Sequence, residues 1–358
     1  MKTKLFIIYG GKSVEHEVSL KTALTVIKSL DESKYEIYPI YIARDGRWSM
    51  PQEFNPQEAD IQHLTAEPSG ASVAESMGAL LIHPLSLPGR KAVLPLLHGT
   101  NGEDGTVQGL LELLDLPYVG NGILSSALTL DKAMSKRLLA QSGFRQVEHL
   151  VFDLKEWEER PAAILNGIEQ GLGLPCYVKP ASLGSSIGIS RCCDREQLQA
   201  GLREAFHYDT KIVVEKELLG REIQVAVMGN DDPLASLPGE FVHDNLFFDF
   251  ESKYFDNKLT MSIPAELPGG VTQQIRELAR QAYRLHGCSG LARVDFFLDE
   301  AGELYLNEIN ALPGFTNKSM YPVMWERTDG TTYAELVEKL IEYAFVRHEQ
   351  KQTIRYSR

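Results

Sequence analysis

Residues 290–318, GLARVDFFLDEAGELYLNEINALPGFTNK, form the stretch that most limits how this chain can fold. Apolar and polar residues alternate through residues 291–298 and again through residues 303–309, which predicts two β-strands. The four residues between them, 299–302, contain an aspartate and a glycine and are typical of a tight turn. We therefore expect a β-hairpin that leads directly into a loop.

Four polar residues of this hairpin are candidates for a metal site. Alternation places Arg293 and Asp295 on one face of the first strand, and Glu308 and Asn310 on one face of the second. If the turn pairs the two strands closely, Asp295 lies near Glu308, and carboxylates held that close need a cation between them or a proton on one. An all-oxygen set suits Mg²⁺ or Mn²⁺ better than Zn²⁺. The alternative is an exposed hairpin with solvated charges, although the Asn-Ala-Leu-Pro-Gly loop that follows is typical of a functional site.

The composition limits the classes of function. A chain of 358 residues is long for one hydrophobic core and suggests two or three domains. Its net charge of −13 argues against nucleic acid or an anionic membrane as a partner. We expect no signal peptide and no membrane-spanning segment, because the first apolar run is too short. The cysteines show no metal-ligand spacing, so we expect ordinary buried thiols of a cytoplasmic protein: Cys176, Cys192, Cys193 and Cys288.

The N-terminal part has the pattern of a doubly wound α/β unit. A continuous apolar run at residues 5–9 predicts a buried parallel strand. A glycine-containing loop at 10–13, a helix with one apolar stripe and an alternating strand at 35–42 follow. Because the GxGxxG pattern is absent, the sequence does not support a dinucleotide site.

Two loops of this part carry polar residues next to a helix. Glu15 precedes the first helix, where a capping role is the alternative to a role in a site. Residues 44–90 are expected to be irregular with short elements. Strands are expected at 93–97 and 117–119, and the glycine- and acid-rich loop 98–105 between strand and helix is a candidate for substrate contacts.

The central part contains a candidate phosphate-binding loop. A helix is predicted at 125–143, and a strand at 176–179 ends in Lys179. The small-residue loop 180–188 follows, and a strand is expected to resume at 187–190. Backbone N–H groups and hydroxyls of such a loop can surround phosphate oxygens, although a plain hairpin connection is the alternative. It is not a Walker A loop, in which the lysine follows the glycines and a helix comes next.

The remaining periodic segments predict strands and helices of a second α/β part. A helix at 195–206 follows the cap residue Asp194. Residues 211–216 predict a strand whose expected partner is 222–228, and such an edge can hold an adenine and a ribose. Amphipathic helices are predicted at 271–286 and 331–348.

The segment 243–257, HDNLFFDFESKYFDN, is rich in aromatic and charged residues but has no clear periodicity. Such a loop is either a packed Ω-loop or a lid over a site. Lys253 and Tyr254 are the residues that a lid would direct inward.

Taken in order, these blocks resemble the D-alanine–D-alanine ligases of the ATP-grasp superfamily over nearly the whole chain. The matching motifs are GGKSVEHEVS, LHGTNGEDGTVQG, DKAMSK, VKPASLGSSIG, VEKELLGREI, FDFESKY and GLARVDFF…LNEINALPGFTNKS. The resemblance implies an α/β (α+β) three-domain ATP-grasp fold with a doubly wound, Rossmann-like N-terminal domain. The implied domains are residues 1–120 for substrate, 121–212 as the central ATP-grasp subdomain, and 213–358 as the C-terminal subdomain with the metal site and the lid.

The resemblance also implies roles for individual residues. Positions that match ATP-binding residues are Lys132, Lys179, Ser185, Ser186, Glu215, Lys216, Leu218, Glu222 and Lys253. Positions that match substrate-binding residues are Glu15, His98, Arg293, Ser319 and Met320. Positions that match catalytic residues are Glu15, Ser185, Tyr254, Arg293 and Gly314. Positions that match the ligands of two Mg²⁺ or Mn²⁺ ions are Asp295, Glu308 and Asn310.

The implied reaction is the ATP-dependent ligation of two D-alanines through a D-alanyl phosphate, for peptidoglycan precursor synthesis. The resemblance suggests a cytoplasmic homodimer and leaves a monovalent-cation requirement open. The lid departs from many family members, because Phe248 and Phe250 replace tyrosines. Tyr254 is retained, which favours an amine over D-lactate as the second substrate.

Three alternatives follow from the same residues. The first is the same chemistry with D-lactate or D-serine as the second substrate. The second is a nucleotide-binding module without catalysis, which should have lost Arg293 or a metal carboxylate and has lost neither. The third is a carboxylase-type ATP-grasp enzyme, in which Glu15 and Ser319 would have no role.

Overall fold

The computed structural model describes residues 2–51, 54–56, 59–65, 67–68, 70–82, 85, 87–242 and 260–355. Helices and strands in these ranges combine into a mixed α/β architecture built on three sheets, with a two-stranded ribbon next to the third. None of the helices in these ranges is both long enough and apolar enough to cross a membrane.

The first sheet has three parallel strands in the order β2-β1-β3. Its strands are β1 (Thr3–Gly10), β2 (Tyr35–Ile42) and β3 (Lys91–Leu96), and the nearby helices are α1 (His16–Ser29), α2 (Ile61–Leu64), α3 (Val73–Ile82) and α4 (Thr106–Leu113). Leu5 and Ile7 pack into a core on the α1 side, whereas Phe6 and Ile8 pack into a second core with residues of α3 and α4. Helices therefore cover both faces, which confirms the doubly wound unit.

The connection out of this sheet differs from the prediction in two places. Residues 117–119 pair with β3 only through a bridge between Val93 and Tyr118, so they are not a strand. The helix predicted at 125–143 is two helices, α5 (Ile123–Leu130) and α6 (Lys132–Gln141). Asp131 separates them because its backbone is extended and its carboxylate accepts a hydrogen bond from Met134 N–H at 3.0 Å, which caps α6.

The second sheet has four antiparallel strands in the order β4-β7-β5-β6. Its strands and helices, in chain order, are β4 (His149–Asp153), α7 (Leu154–Glu159), α8 (Pro161–Gly171), β5 (Cys176–Pro180), β6 (Ser190–Cys192), α9 (Arg195–Tyr208) and β7 (Lys211–Lys216). The strand expected from residue 187 begins only at Ser190, because Ile187 N–H and Ile189 N–H bond back to Gly184 and Ser186 in turns. Cys193 is exposed and not buried as predicted, because it follows the end of β6.

The third sheet has the order β13-β12-β8-β9. Its elements and those beside it are β8 (Gly220–Gly229), β9 (Leu234–Ala235), β10 (Glu240–Val242), β11 (Thr260–Ser262), α10 (Val271–Leu285), β12 (Gly290–Asp299), β13 (Leu304–Asn310), α11 (Met320–Asp329) and α12 (Tyr333–Gln352). The predicted pairing of β7 with β8 is wrong. β8 pairs along its whole length with β12, because its apolar face, including Val225, is buried under Ile275 and Ala279 of α10. Residues 217–219 carry the chain between the sheets.

The three parts of the chain meet around the hairpin formed by β12 and β13. Helix α12 packs its apolar face onto the first sheet, in the same core as Leu5. Asn121 Nδ2 donates to the carbonyl oxygens of Leu291 and Ala311, at 2.7 and 2.9 Å. Arg347 of α12 donates to the Tyr118 carbonyl at 2.8 Å. These bonds join the hairpin and α12 to the segment that leaves the first sheet.

Candidate active site

The hairpin has the predicted register, with one irregularity that decides which side chains meet. Leu298 lies opposite Leu304, and Asp295 lies opposite Glu308. Because Phe296 pairs with Leu306, Asn307 is an extra residue in β13 and forms a β-bulge. Without this bulge, strict alternation would turn Glu308 to the face opposite Asp295. The burial of β13 changes phase at the bulge, since residues 304 and 306 are buried before it and residue 309 after it.

Asp295 is the most buried carboxylate of the hairpin, with 1 % exposure. Arg293 binds it through two hydrogen bonds of 2.7 Å from Nε and Nη2, and Asn310 Nδ2 donates to it at 3.0 Å. The pKa of Asp295 is raised to about 6. Burial is the main cause, the carboxylates of Glu222 and Glu308 add to it, and the charge of Arg293 opposes it. An exposed hairpin with solvated charges is therefore excluded. The carboxylates repel one another in a site that water barely reaches.

The oxygen donors of this face fit a hard divalent cation. Among the described ranges, no group of three or more acidic, histidine or cysteine side chains forms a metal cluster. The candidate set is instead two carboxylates, Asp295 and Glu308, plus the amide oxygen of Asn310. Oxygen-only sets of this size suit Mg²⁺ or Mn²⁺, which complete their shells with water and phosphate oxygens. The raised pKa of Asp295 fits this assignment, because a cation would relieve the repulsion that raises it.

Lys132 connects the hairpin to the second sheet. It is the first residue of α6, and its backbone N–H donates to the Ala181 carbonyl at 2.9 Å. Its Nζ donates to the Leu183 carbonyl at 2.6 Å and lies 3.4 Å from Glu308 Oε2. The break at Asp131 thus places a lysine at the helix start, between the candidate phosphate loop and a candidate metal ligand.

The loop between β5 and β6 has a constrained backbone. Ser185 and Ser186 have φ values of 53° and 59°, in the left-handed region that non-glycine residues rarely occupy. This conformation directs the Ser185 hydroxyl across the interface, where it donates to the carboxylate of Glu15 from the first part of the chain. Two consecutive residues in this conformation, closed by a bond of 3.2 Å from Ile187 N–H to the Gly184 carbonyl, form a turn of the kind that plain hairpins also use. The loop is tied to the site by the contacts of Ser185 with Glu15 and of the Leu183 carbonyl with Lys132.

Glu15 and His98 lie side by side at the ends of β1 and β3. Glu15 is the residue before α1, but its side chain makes no capping bond, so the capping alternative is not supported. Burial raises its pKa, and the nearby Glu103 carboxylate adds to the increase. His98 is buried, 3.1 Å from Thr22 Oγ1 and 3.5 Å from Glu103 Oε1. Burial opposes its charged form, but the Glu103 carboxylate outweighs this effect and raises its pKa.

A buried ion triplet lies beneath the phosphate loop. Glu215 is 3 % exposed, and its two oxygens contact different lysines. Lys136 Nζ lies 2.8 Å from Oε1, and Lys179 Nζ lies 2.5 Å from Oε2. Burial alone would raise the pKa of Glu215, but the two lysines outweigh burial and hold the pKa well below its usual range.

The loop after the hairpin leads from the candidate metal site to α11. A Cβ atom on Gly314 would lie 3.3 Å from Ser319 Oγ, so the Gly314 backbone and the Ser319 hydroxyl are adjacent. Thr316 N–H donates to Ser319 Oγ at 3.0 Å, and Ser319 directly precedes α11. The Met320 side chain is buried in the core that α11 shares with the first sheet, so only its backbone is near Ser319.

Two predicted site residues, Lys216 and Leu218, lie apart from this network. Lys216 is exposed and pairs with Glu148 at 3.3 Å, and Leu218 is half-buried in the segment between the sheets. Glu222, also half-buried, is close enough to raise the pKa of Asp295. The lid residues, Phe248, Phe250, Lys253 and Tyr254, lie outside the described residues.

Two residues of the network were missed from the sequence. Lys136 lies one helical turn after Lys132, and this spacing of four residues places both lysines on the same face of α6. Glu103 lies in the loop that was expected to contact substrate, but no role was predicted for it. A search for charged pairs at helical spacing would have found Lys136, whereas the contact of Glu103 with His98 depends on the folded loop.

Together, these groups can bind an ammonium group, a polyphosphate and a reacting carboxyl group in one continuous site. Glu15 supplies a buried carboxylate, and Lys132 and Lys179 supply positive charge beside the loop that contains Ser185 and Ser186. The Arg293 guanidinium uses its Nε–Nη2 edge for Asp295, which leaves Nη1 outside that pair. Such a site suits phosphoryl transfer to a carboxylate, in which positioning and charge neutralisation dominate.

Comparisons with known proteins agree on one family. Residues 4–121 match the model of the D-ala D-ala ligase N-terminus, and residues 138–342 match that of the D-ala D-ala ligase C-terminus. The chain is 46% identical over 362 residues to the D-alanine--D-alanine ligase of Bacillus cytotoxicus, covering 99% of each protein. It is 44% identical to that of Geobacillus kaustophilus, covering 100% of this chain and 98% of the relative.

Solved structures extend this similarity to the fold. The D-alanine-D-alanine ligase of Coxiella burnetii is 35% identical, with a TM-score of 0.83 over 98% of this chain and 96% of that one. The VanG D-Ala:D-Ser ligase of Enterococcus faecalis is 31% identical, with a TM-score of 0.79 over 96% of this chain and 100% of that one. Both halves of the chain, its full length and its fold match the same group of ATP-grasp enzymes. The chain belongs to the D-alanine–D-alanine ligase family.

Proposed function

We propose that this protein uses ATP to join two molecules of D-alanine into D-alanyl-D-alanine, with release of ADP and phosphate. The observation that carries the proposal is a series of contacts from Glu15 to Glu308. Ser185 donates to Glu15, and Lys132 contacts both the Leu183 carbonyl of the same loop and Glu308. This series of contacts joins a candidate ammonium site, a candidate phosphate loop and a candidate metal site from three parts of the chain. Full-length identity of 44–46% to curated ligases supports the same reaction.

The first D-alanine is expected to bind at Glu15 and His98. A buried carboxylate is costly unless a cation accompanies it, and the ammonium group of an amino acid is such a cation. His98, whose pKa the nearby Glu103 carboxylate raises, is suited to bind the substrate carboxylate. Ser185 fixes the Glu15 carboxylate by donating to it.

ATP is expected to bind between the second and third sheets. Lys132, Lys179 and the loop at Ser185 and Ser186 supply the charge and the backbone amides that its phosphates need. The remaining positions, proposed for the adenine and the ribose, are Glu215, Lys216, Leu218 and Glu222. Lys253, which belongs to the proposed lid, is assigned to the phosphates by family resemblance only.

Asp295, Glu308 and Asn310 are proposed to hold Mg²⁺ or Mn²⁺. When bound, such ions neutralise the charge of the ATP phosphates and hold them in line with the attacking carboxylate. The protein side chains prepare this position in two ways. The bulge at Asn307 brings Glu308 to the face of Asp295, and Arg293 keeps Asp295 oriented.

The proposed reaction has two steps. A carboxylate oxygen of the first D-alanine attacks the γ-phosphorus, which gives D-alanyl phosphate and ADP. The amine of the second D-alanine, once deprotonated, attacks the carbonyl carbon, and phosphate leaves with its bridging oxygen. Arg293 and the Gly314 N–H are proposed to stabilise the oxyanion, a contact worth roughly 3–4 kcal/mol per donor. Ser319, together with the backbone of Met320, is proposed to bind the carboxylate of the second substrate, and Tyr254 to close the site.

The second substrate is the point at which family members differ. The Enterococcus faecalis structure, by its title, is a D-Ala:D-Ser ligase. Retention of Tyr254 supports D-alanine here, since the resembling D-lactate ligases differ at that position. We also propose a cytoplasmic homodimer that supplies peptidoglycan precursors. The expected domains are residues 1–120, 121–212 and 213–358. We propose to move the second boundary from 212 to residues 217–219, because the whole strand Lys211–Lys216 pairs within the second sheet.

A substrate panel tests the proposal. Phosphate release from ATP is measured with D-alanine, D-serine, D-lactate and L-alanine, each at neutral pH with Mg²⁺. We expect ATP cleavage to depend on D-alanine and the dipeptide to be the main product. A dominant depsipeptide with D-lactate would contradict the choice of second substrate. ATP cleavage that is independent of any D-amino acid would contradict the ligase function itself.

A further inference from the structure

The ion triplet of Lys136, Glu215 and Lys179 contains one more lysine than neutralisation of the carboxylate requires. Lys136 is 2 % exposed and Glu215 is 3 % exposed, and Lys136 Nζ has no polar partner other than Glu215 among the described residues. Lys179 lies on the neighbouring strand β5, diagonally across from Glu215, because Tyr177 pairs with Glu215. The triplet has a formal net charge of +1, and two of its members, Lys136 and Glu215, are buried.

The two lysines differ in what else they can reach. Lys136 projects from the second turn of α6 and is enclosed between that helix and the sheet. The side chain of Lys179 keeps 12% of its surface accessible, and Glu308 and Glu222 both contribute to its raised pKa, so it faces the open site. Only Lys179 can therefore turn from Glu215 to a phosphate without unfolding its surroundings.

We infer that Lys136 is a positioning residue for nucleotide binding: it neutralises Glu215 permanently, so that Lys179 can leave Glu215 and bind a phosphate. This inference rests on the proposed function, since it takes Lys179 as a phosphate ligand. If Lys136 were absent, the departure of Lys179 would leave a buried carboxylate without a counter-ion. A buried carboxylate without a counter-ion is strongly unfavourable, so Glu215 would then hold Lys179 away from the nucleotide.

The test compares the dissociation constants of ADP and adenosine by calorimetry in one Mg²⁺-containing buffer. In Lys136→Met, ADP affinity should fall about tenfold or more, because Lys179 is retained by Glu215. Adenosine affinity should change less than about threefold, because adenosine has no phosphate for Lys179. Lys136→Arg should restore the wild-type ratio of the two constants. Arg137→Met, the next residue on α6 and exposed, is the matched control and should change neither constant.

A double variant makes the test specific. Lys136→Met combined with Glu215→Gln removes the charge that retains Lys179, so the ADP-to-adenosine ratio should recover to within about threefold of wild type. An equal loss of both ligands in Lys136→Met, or no recovery in the double variant, would overturn the inference.

Two further measurements keep the result decisive. If Lys136→Met does not fold, Glu215→Gln alone decides. The inference predicts that the affinity for ADP relative to adenosine is unchanged or increased in this variant, and a tenfold decrease in that relative affinity would overturn it. Nucleotide binding does not require ligation. If the unaltered protein did not ligate D-alanine, the proposed function would be overturned, but the binding constants would still test the role of Lys136.

Discussion

Replacing Arg293 with alanine is expected to separate nucleotide binding from turnover. The guanidinium is proposed to stabilise the oxyanion of the second step, and none of its proposed contacts is with ATP. Loss of one such donor corresponds to roughly 3–4 kcal/mol, or a decrease in kcat of about 10²–10³-fold. The affinity for ADP should change less than about threefold.

The same substitution also affects stability, in a way that depends on pH. Arg293 holds a buried carboxylate through two bonds of 2.7 Å, and removal of one partner of such a pair costs up to about 3–5 kcal/mol. The pKa of Asp295 is about 6 with Arg293 present, and it must be higher without it. Above pH 6 the wild type holds a charged Asp295, whereas the variant binds a proton there. The destabilisation should therefore grow by up to about 1.4 kcal/mol per pH unit above pH 6 and level off below it.

The assay is denaturant unfolding of wild type and variant between pH 5 and pH 8 in buffer containing a chelator. Arg145→Ala is the control, because it removes an exposed pair with Glu303 of the same hairpin. Such a pair contributes about 0–1 kcal/mol, and its loss should show no trend above pH 6. A destabilisation by Arg293→Ala that stays constant or shrinks with rising pH would refute the electrostatic reasoning. Near-normal turnover would refute the catalytic role.

Three further predictions concern other parts of the site. Because burial raises the pKa of Glu15, kcat/KM for D-alanine should begin to fall with decreasing pH at a pH above the usual glutamate pKa near 4.5. The affinity for ADP should not change over the same pH range. A decrease in kcat/KM that begins only below pH 4.5 would contradict the effect of burial on Glu15. Gly99→Ala should raise KM for D-alanine about tenfold, since φ is +77° and the new Cβ would lie 2.8 Å from Glu15 Oε2. An unchanged KM would contradict the placement of the ammonium site. Of the four thiols, only Cys193 should react quickly with a thiol reagent in the native protein, and peptide mapping after labelling checks this.

The hairpin shows how far the sequence alone can predict this fold. Its strands and register follow from alternation and from the turn, because a short turn determines which residues face each other. The bulge at Asn307 was not predicted, although the adjacent polar residues Asn307 and Glu308 interrupt the alternation at this point. The bulge nevertheless brings Glu308 to Asp295, so the sequence indicated the correct residues without the geometry that unites them.

Other errors have a related cause. The strand at 211–216 was predicted with its observed bounds but with the wrong partner, because periodicity identifies a strand and not the sheet it joins. Its neighbours in the sheet follow from the two cores into which its side chains pack, Ile212 and Val214 on one face and Val213 on the other. The helical pattern of the sequence continues through residue 131, but the helix ends there because Asp131 caps the start of a second helix. Periodicity alone does not show such a break. Lys136 was overlooked because its partner, Glu215, lies 79 positions away in the chain.

The most direct test of the account follows oxygen from the first substrate into phosphate. D-Alanine labelled with ¹⁸O in both carboxylate oxygens is incubated with ATP, Mg²⁺ and the protein, and both products are analysed by mass spectrometry. Attack by the carboxylate on the γ-phosphorus transfers one substrate oxygen to phosphate when the amine displaces it. We predict one ¹⁸O atom in each phosphate released and one D-alanyl-D-alanine for each ADP. Unlabelled phosphate formed together with dipeptide would contradict the acyl-phosphate route, and ADP formed without dipeptide would contradict the ligation.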